Sequence, residues 1–427
     1  MNRLFFDFGK PLGAIATAIL AGILVTSVPV LSRSLSHSST SQNQTASLTN
    51  LDETTSIYTH FAFKLFSTIQ QQQSQENIFI SPASITNALA MTYNGADGTT
   101  QMAMAEALEI QGMSLEEFNQ ANAAVKTLLS DEYEAVEINI ANSLWLNQTA
   151  SFLPNFLQRV TEFYQAQLNR LDFTSPTATD EINAWVREQT NDKIPKIIDQ
   201  VDDNHILYLM NAIYFRGSWT EAFSEELVEE RPFRRMDGTT ELHPLMLQVG
   251  NYLYLENSEV QAISLPYGNG QFSLYVLLPR ETVNLDEFYQ ALNAEQWNEW
   301  IQAMQPQDGM IQLPRFELEY SIALNDTLEQ MGMGIAFSPN QADFSKMTSE
   351  KVHLSAVQHK TFLEVNEEGT KAAAVTLQGF VRVSLDENPE PELFSMIVDR
   401  PFFMAIRDNR TQTILFMGSI VNPRPSR

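Results

Sequence analysis

The chain has 427 residues, of which 26 are Lys or Arg and 52 are Asp or Glu, so its formal net charge is −26. This acidic excess argues against nucleic-acid binding, which needs clustered basic side chains. The absence of cysteine excludes disulfides, Cys-ligated zinc and iron–sulfur clusters. Hydrophobic residues make up 44% of the chain, which is enough for a large core.

The N-terminal segment, residues 1–32, has the pattern of an export signal. Arg3 and Lys10 precede an apolar run from residue 12 to residue 31, and such a run after a short basic region is typical of a signal peptide. The run is also long enough for an uncleaved membrane anchor. Residues 33–50 are rich in Ser, Thr and Gln, which predicts a flexible leader. We therefore expect an exported protein, extracellular or periplasmic, with membrane tethering as the open alternative.

The body, residues 51–427, contains no internal repeat and no linker rich in Pro, Gly and Ser, which predicts one large domain. Apolar residues recur every four positions from Ile57 to Ile69, the spacing of an amphipathic helix. The short apolar strand 77–81 is followed by Pro82. Ser81 is therefore expected to be the N-cap of a buried helix that ends at Gly95.

Strands and helices then follow one another without the regular alternation of a parallel α/β fold, which indicates the α+β class. Branched and aromatic residues predict strands at Val136–Leu146, His205–Phe215 and Met310–Tyr320. Helices are expected at Leu115–Leu129, Pro154–Gln167, Thr179–Gln189, Asp286–Gln302 and Ile322–Met331. Tight turns are expected at Asp237-Gly238, at 268–270 and at Asp408-Asn409.

The sequence offers no catalytic constellation. None of the six histidines has the spacing of a metal-binding motif. No nucleophile elbow is present, since Gly217-Ser218 is followed by Trp219 and Gly418-Ser419 by Ile420. We therefore predict no metal site and no cofactor, and we do not expect an enzyme.

One segment, residues 360–401, behaves neither like a core strand nor like an ordinary loop. Thr370, Ala372, Ala374 and Thr376 are small, uncharged and spaced by two. In an extended chain their side chains face one way, whereas Lys371 faces the other. The acidic stretch 385–392 (LDENPEPE) must be solvated. From the alternation alone, a strand followed by a long surface loop is the simpler interpretation, and entry of the segment into a sheet is the alternative.

These motifs resemble those of the serpin (serine protease inhibitor) family. NIFISPAS at 77–84 is similar to the family's strand-into-helix motif, and LMNAIYFRGSW at 209–219 to a strand of its central sheet. VNEEGTKAAAVT at 365–376 resembles the hinge of the reactive-centre loop. Residues 399–423 resemble the C-terminal motif. The four motifs occur in the family's order.

The resemblance implies a serpin fold with three β-sheets, about nine helices and an exposed reactive-centre loop at about 367–398. It also implies a suicide-substrate inhibitor. A serine protease cleaves the loop and is trapped as an acyl-enzyme when the loop inserts into the central sheet, a standard example of strand addition. The expected partner is an elastase-, subtilisin- or trypsin-like serine protease, or alternatively a cysteine protease, and the expected state is a monomer.

The hinge decides whether insertion works, because inward side chains must enter a packed core where an unpaired charge is unfavourable. Its inward positions are small and uncharged, which favours an active inhibitor. A non-inhibitory or substrate-like serpin, with a carrier, chaperone or storage role, is the alternative. By resemblance the hinge consists of Glu367, Glu368, Gly369, Thr370, Lys371, Ala372, Ala373, Ala374, Val375 and Thr376.

The resemblance implies that the reactive bond lies between Val383 and Ser384, because in the family the residue before the bond is usually the seventeenth from the hinge acid, here Glu367, counted inclusively. A small apolar residue before the bond suits an elastase-like or subtilisin-like protease. The alternative is the bond between Arg382 and Val383, because Arg382 suits the acidic pocket of a trypsin-like protease.

The resemblance also implies roles for further residues that match motifs of the family. Trp219 matches the breach, where insertion begins, and Arg315 stands where a basic partner of Glu367 is expected. Heparin-type activation is not expected, because segment 114–134 holds a single basic residue, Lys126. The lack of cysteine and the leader favour a bacterial source. The shutter, a hydrogen-bonded cluster beneath the strands that must part, matches Ser81, Ser84, Asn211 and His359.

Overall fold

A computed structural model describes residues 38–130, 133, 135–164, 167–368 and 393–424. The chain divides into two units, Met1–Ser47 and Leu48–Arg427. The predicted signal segment 1–32 lies outside the described residues. The first helix begins at Ser38, inside the segment that the sequence predicts to be a flexible leader.

The described helices occupy much of the first half of the chain and two later stretches. The helices are α1 (Ser38–Gln72), α2 (Pro82–Tyr93), α3 (Gly98–Ala107), α4 (Leu115–Ser130), α5 (Pro154–Tyr164), α6 (Ala178–Gln189), α7 (Leu285–Ala291), α8 (Ala294–Ala303), α9 (Asn325–Leu328) and α10 (Gly334–Phe337). A 3₁₀ turn covers Glu225–Leu227, and a π turn covers Glu329–Met333.

Helix α2 begins as predicted. Ser81 has an extended backbone, and its hydroxyl accepts a hydrogen bond from the Ser84 N–H at 3.3 Å. Pro82 is the first helical residue, where its missing N–H does no harm. All twelve residues of α2 are buried, so this helix lies inside the molecule.

The predicted helix Asp286–Gln302 is instead two helices, α7 and α8. The chain is extended at Asn293, whose side chain accepts a hydrogen bond from the Gln296 N–H at 2.8 Å. Asn293 is thus the N-cap of a new helix, and a cap of this kind divides a periodic stretch without changing its apolar pattern.

The described strands form two sheets. The strands are β1 (Ile78–Ile80), β2 (Val136–Asn147), β3 (Gln167–Leu171), β4 (Leu207–Gly217), β5 (Glu229–Arg234), β6 (Thr240–Glu256), β7 (Val260–Tyr267), β8 (Phe272–Pro279), β9 (Gln305–Pro314), β10 (Phe316–Ala323), β11 (Ala356–Val365), β12 (Phe394–Ile397), β13 (Phe402–Asp408) and β14 (Ile414–Ile420). Their mixture with helices confirms the predicted α+β class.

The five-stranded sheet has the order β10-β11-β4-β2-β3. Its central strand β4 pairs antiparallel with β2 and parallel with β11, while β10 pairs antiparallel with β11. Behind this sheet lie β1 and α2, and the Thr361 hydroxyl of β11 donates to the Phe79 carbonyl oxygen of β1 at 2.6 Å.

The nine-stranded sheet has the order β1-β14-β13-β8-β7-β6-β9-β12, with β5 paired to β6. Strand β6 has 17 residues and pairs with β5 near its start and with β7 near its end. Because β6 is shared in this way, two of the three expected sheets are joined into one hydrogen-bonded network among the described residues.

The predicted single strand Met310–Tyr320 is wrong in one respect, because it is broken at Arg315. Strand β9 ends at Pro314 in the nine-stranded sheet, and β10 begins at Phe316 in the five-stranded sheet. The Arg315 N–H donates to the Pro244 carbonyl oxygen at 3.0 Å. Arg315 is therefore the link between the two sheets.

Candidate functional site: a polar network under the central sheet

Strands β11 and β4 lie directly side by side at the centre of the five-stranded sheet. Their parallel register runs from Ala356↔Tyr208 to Leu363↔Phe215. The segment that the sequence predicts to enter a sheet begins just after β11. Entry between β11 and β4 requires these two strands to part.

Asn211 on β4 connects three strands and the helix beneath them. It is 1% exposed and lies opposite His359 on β11 and Asn142 on β2. Its side-chain amide donates to the Ser84 hydroxyl at 2.5 Å and to Asn142 Oδ1, and its Oδ1 accepts from His359 Nδ1. The same amide group therefore holds β2, β4, β11 and α2 together.

His359 is fully buried, and its hydrogen bonds define its protonation state. Its Nε2 accepts a hydrogen bond from the Ser81 N–H at 3.1 Å, so the proton is on Nδ1, which donates to Asn211. Burial lowers the pKa of His359 to about 3, because a charged imidazole is poorly solvated there. The ring is therefore neutral at physiological pH.

The structure thus brings the four predicted shutter residues into one network. Ser81 also donates through its hydroxyl to the Leu415 carbonyl oxygen of β14 at 2.7 Å. This bond ties the start of α2 to the nine-stranded sheet. The Ser84 hydroxyl accepts a hydrogen bond from the Asn211 amide on β4. Helix α2 is therefore bonded to both sheets.

Sequence reasoning missed Asn142. It takes part in the network through Asn211 and also lies 3.4 Å from Asn87 Oδ1 through its own amide. The only sign of Asn142 in the sequence was its polar side chain within the run of branched and aromatic residues that forms β2. That signal does not identify the partner, because the pairing with β4 is not local.

A second group of contacts surrounds Trp219 beyond the end of β4. The indole N–H donates to the Asn366 carbonyl oxygen at 2.8 Å, just after β11. The indole ring stacks on Tyr267 with centroids 4.3 Å apart, and Phe223 packs edge-on at 5.8 Å. These contacts fix the indole where the chain leaves β11.

Glu367 is held by its backbone and by its side chain. Its carbonyl oxygen accepts from the Phe223 N–H at 3.0 Å, and its carboxylate Oε1 lies 3.3 Å from Arg315 Nη1. The Glu367 side chain is 7% exposed, whereas that of Arg315 is 36% exposed. The structure therefore brings together Glu367, the predicted hinge acid, and Arg315, its predicted basic partner.

His243 on β6 supports Arg315 from the opposite side. Its Nε2 lies 2.7 Å from the Arg315 carbonyl oxygen, which accepts the hydrogen bond. Burial lowers the pKa of His243, although the bond to Arg315 acts in the other direction. Sequence reasoning gave no role to this histidine, since its partner is a main-chain oxygen distant in the sequence.

Residues 369–392 of the predicted reactive-centre loop, which was expected at about 367–398, lie outside the described residues. Glu367 and Glu368 are described before this part and Leu393 after it, and Phe394–Ile397, at the end of the predicted loop, instead form strand β12, which pairs with β9. The hinge positions 369–376 and the candidate reactive-bond residues Arg382, Val383 and Ser384 fall within the part that is not described.

The chain matches known proteins along nearly its whole body. A family model for serpins, described as serine protease inhibitors, matches residues 56–423. Leukocyte elastase inhibitor from Xenopus laevis is 36% identical over 386 residues, which cover 87% of this chain and 100% of the relative. Leukocyte elastase inhibitor A from Mus musculus is 34% identical with the same coverage. Among solved structures, the thermophilic serpin tengpin in its native state has a TM-score of 0.79 at 32% identity, covering 87% of this chain and 94% of tengpin.

These relatives contradict the localisation predicted from the N-terminal segment. They align over their whole length with 87% of this chain, so they have no counterpart of the segment on which the prediction of an extracellular or periplasmic protein rested. Within the described part of the chain, no helix combines the length and apolar character needed to cross a bilayer. The expected bacterial source also finds no support in these frog and mouse relatives.

The fold, the order of the sequence motifs and the residues matched by the family model all indicate the same family. The family is one of protease inhibitors rather than catalysts, and cleavage of the reactive loop, loop insertion and trapping of the acyl-enzyme are its characteristic mechanism. The chain belongs to the serpin family and is a serine protease inhibitor of this kind.

Proposed function

We propose that this serpin inhibits an elastase-like serine protease and that the protease attacks the bond between Val383 and Ser384. The leukocyte elastase inhibitors among its relatives support the target class. Val383 supports the position, because a small apolar side chain suits an elastase pocket and because it lies seventeen residues from Glu367, counted inclusively. Arg382 is the competing specificity residue, and it predicts a trypsin-like target instead.

The main support for insertion is the direct pairing of β11 with β4. The two strands are parallel, so a chain that leaves β11 and turns back between them runs antiparallel to both and hydrogen-bonds to each. Insertion of about 14 residues at about 3.3 Å per residue moves the attached protease by about 45 Å. This displacement distorts the protease before it can hydrolyse the acyl-enzyme.

The hinge is proposed to start this movement at Glu367. The contacts of Glu367 with Phe223 and Arg315, and of Asn366 with Trp219, hold the chain at the point where it would turn into the sheet. Gly369 then permits the turn, since glycine adopts conformations that other residues avoid. The alternation of Thr370, Ala372, Ala374 and Thr376 supplies small inward side chains.

The buried network is proposed to act as the shutter that keeps the sheet closed until cleavage. Asn211 and His359 lie opposite each other on the two strands that must separate. Their hydrogen bond must break on insertion, while the bonds of Ser81 and Ser84 hold α2 underneath. The network therefore sets part of the barrier to insertion.

The proposal is tested by incubating the full chain separately with pancreatic elastase, subtilisin and trypsin. A denaturing gel detects the covalent complex, and the intact mass of the released C-terminal peptide identifies the bond. We expect an SDS-stable complex with elastase and a peptide that begins at Ser384. A peptide that begins at Val383, with a complex formed by trypsin alone, would assign the role to Arg382.

Two matched variants distinguish Val383 from Arg382 as the residue before the reactive bond. Val383→Gly should slow complex formation with elastase, and Arg382→Gln should leave it unchanged. If the reverse is observed, the proposed reactive bond is wrong. Cleavage by every protease without any complex would instead favour a substrate-like serpin.

A further inference from the structure

Two histidines stand at the same end of the two strands that must part. His205 precedes β4 and His353 precedes β11, and each lies three residues before the first pair of the β4–β11 ladder. Both side chains are partly buried. They lie at the opposite end of these strands from Trp219 and Glu367, where insertion is proposed to begin.

Hydrogen bonds hold the two chains side by side up to this point. The Ser355 N–H donates to the Leu207 carbonyl oxygen at 3.0 Å, and the Ser355 hydroxyl accepts from the Ile206 N–H at 3.0 Å. His205 directly precedes Ile206. His353 lies two residues before Ser355, and the two imidazoles are close enough for the charge of one to act on the other. We call His205 and His353 the histidine pair.

The position of the pair along β11 matches the length of the inserted segment. Glu367 follows His353 by 14 positions. A chain that reverses direction near Glu367 and runs antiparallel to β11 passes one residue of β11 for each residue of its own. An insertion of about 14 residues at about 3.3 Å per residue therefore ends beside His353. The histidine pair thus lies where the movement is completed.

One acid faces the pair directly. Asp202 Oδ2 lies 3.8 Å from His205 Nε2, and the Asp202 side chain is 50% exposed, so solvent screens this contact. The pKa of Asp202 is lowered, mainly by the hydrogen bond from the Asn204 N–H, which keeps its carboxylate charged. Within the described part of the chain, His353 has no carboxylate at ion-pair distance. The other titratable or charged groups on the segments around the pair are Asp203, Tyr208 on β4, Asp326 in the first turn of α9 and Lys351.

Protonation acts differently on the closed sheet and on the opened sheet. Burial lowers the pKa of His353 below its ordinary value, and the neighbouring His205 lowers it further. The repulsion between the two imidazolium groups weakens when a strand enters between β4 and β11, because the distance between these strands then rises from about 4.8 Å to about 9.6 Å. Protons therefore bind more tightly to the pair in the inserted form, and by linkage protonation favours insertion.

We propose that the histidine pair is a pH-sensitive switch on loop insertion, in which protonation of both imidazoles weakens the closed end of the contact between β4 and β11. This inference rests on the insertion path of the proposed function. A histidine side chain changes its charge between about pH 5 and 8. At the upper end of this range the pair is neutral and the Ser355 bonds hold the strands together. At the lower end two like charges face each other there, so insertion is faster.

The test follows insertion without a protease. The probe is a synthetic peptide with the sequence of residues 370–383, acetylated at its N-terminus and carrying a dye whose emission does not depend on pH. The peptide contains no group that titrates between about pH 5.5 and 7.5. Fluorescence anisotropy measures its rate of binding to the full chain across this range. A higher midpoint of thermal unfolding in the product shows that the peptide has entered the sheet.

We expect the rate constant of the wild type to rise at least about fivefold from pH 7.5 to 5.5, as two facing charges near a protein surface would produce. His353→Gln does not titrate, so its rate constant should change less than about twofold. His353→Lys is charged throughout this range, so it should already be fast at pH 7.5 and show no further rise. His60→Gln is the control, because His60 lies on α1 beside Glu295, and it should follow the wild type.

The outcomes separate this inference from the proposed function. Equal pH dependence in His353→Gln and the wild type would overturn the inference, and so would a wild-type rate that does not change with pH. A slow His353→Lys variant at pH 7.5 would overturn it even if His353→Gln did not fold. Failure of the peptide to insert at any pH would overturn the path between β4 and β11 and the inference with it. Formation of the covalent complex with elastase at pH 7.5 tests the proposed function by itself.

Discussion

The guanidinium group of Arg315 lies 3.3 Å from the carboxylate of Glu367. Arg315 is the residue that joins β9 of one sheet to β10 of the other, and Glu367 follows the end of β11. This single contact therefore ties the start of the predicted reactive loop to the junction between the two sheets. Its position suggests that it restrains the hinge.

Arg315→Ala should lower the free energy of unfolding by about 1 kcal/mol, because it leaves the largely buried Glu367 carboxylate without this partner. The value is small since the exposed part of Arg315 is screened by solvent. Urea unfolding of the full chain measures it. Arg315→Lys is the control and should retain part of the stability, and an alanine variant as stable as the wild type would exclude a restraining role.

Asn211→Ala should destabilise the closed sheet more strongly. The substitution removes the acceptor of the His359 N–H and the donor to Ser84 and Asn142. Each buried group left unsatisfied costs about 1–3 kcal/mol, so we expect a clearly lower midpoint of thermal unfolding. Asn139→Ala on β2, the strand that carries Asn142, changes a half-exposed amide that lies outside the network, and it should change the midpoint little. Similar midpoints for the two variants would contradict the role of the network.

His359 should make the stability of the protein depend on pH. Its pKa is lowered to about 3 in the folded protein, so below its ordinary value of about 6.5 the unfolded chain binds a proton that the folded chain does not. The free energy of unfolding should therefore fall as the pH decreases from about 6.5 toward 3, by up to about 1.4 kcal/mol per pH unit from this residue. The contribution is fully present above pH 6.5.

The comparison with His359→Gln isolates this effect. Burial also lowers the pKa of His243 and His353, so the wild type alone does not separate the three histidines. Glutamine retains one donor and one acceptor but does not titrate. Urea unfolding between pH 7.5 and 5 should show a steeper loss for the wild type, and parallel curves would remove His359 from the pH dependence.

Local features of this fold were accessible from the sequence. Ser81 and Pro82 together predict a helix start, because a cap and a first-turn proline act within a few residues. The strand β2 and the turn at Gly238 follow from equally local patterns. At these positions, where a local signal decides the structure, the prediction and the structure agree, whereas the N-cap Asn293 that divides α7 from α8 was missed.

Non-local features were not accessible in the same way. The pairing of Asn142 with Asn211 depends on the register of β2 against β4, which no pattern within either strand specifies. The break at Arg315 arises because the chain passes from one sheet to the other, although the apolar pattern continues across it. The contact of Arg315 with Glu367 was expected only through the family resemblance, since the two residues are 52 positions apart.

The hinge alternation leads to the last prediction. If Ala374 faces the core of the sheet after insertion, Ala374→Arg introduces a buried charge that costs several kcal/mol. Insertion then becomes slower than hydrolysis of the acyl-enzyme, so the protease should cleave the variant and escape. We expect loss of the SDS-stable complex while cleavage at the reactive bond continues.

Ala373→Arg is the matched control, because the neighbouring side chain faces solvent in an extended strand. The two variants have the same composition and differ only in the face that carries the charge. Gel densitometry at equal protease concentration gives, for each variant, the ratio of covalent complex to cleaved inhibitor. Retention of the complex by Ala373→Arg and its loss in Ala374→Arg would support insertion with the expected register. An equal ratio of complex to cleaved inhibitor in the two variants would mean that the alternating pattern of the hinge does not determine which side chains become buried.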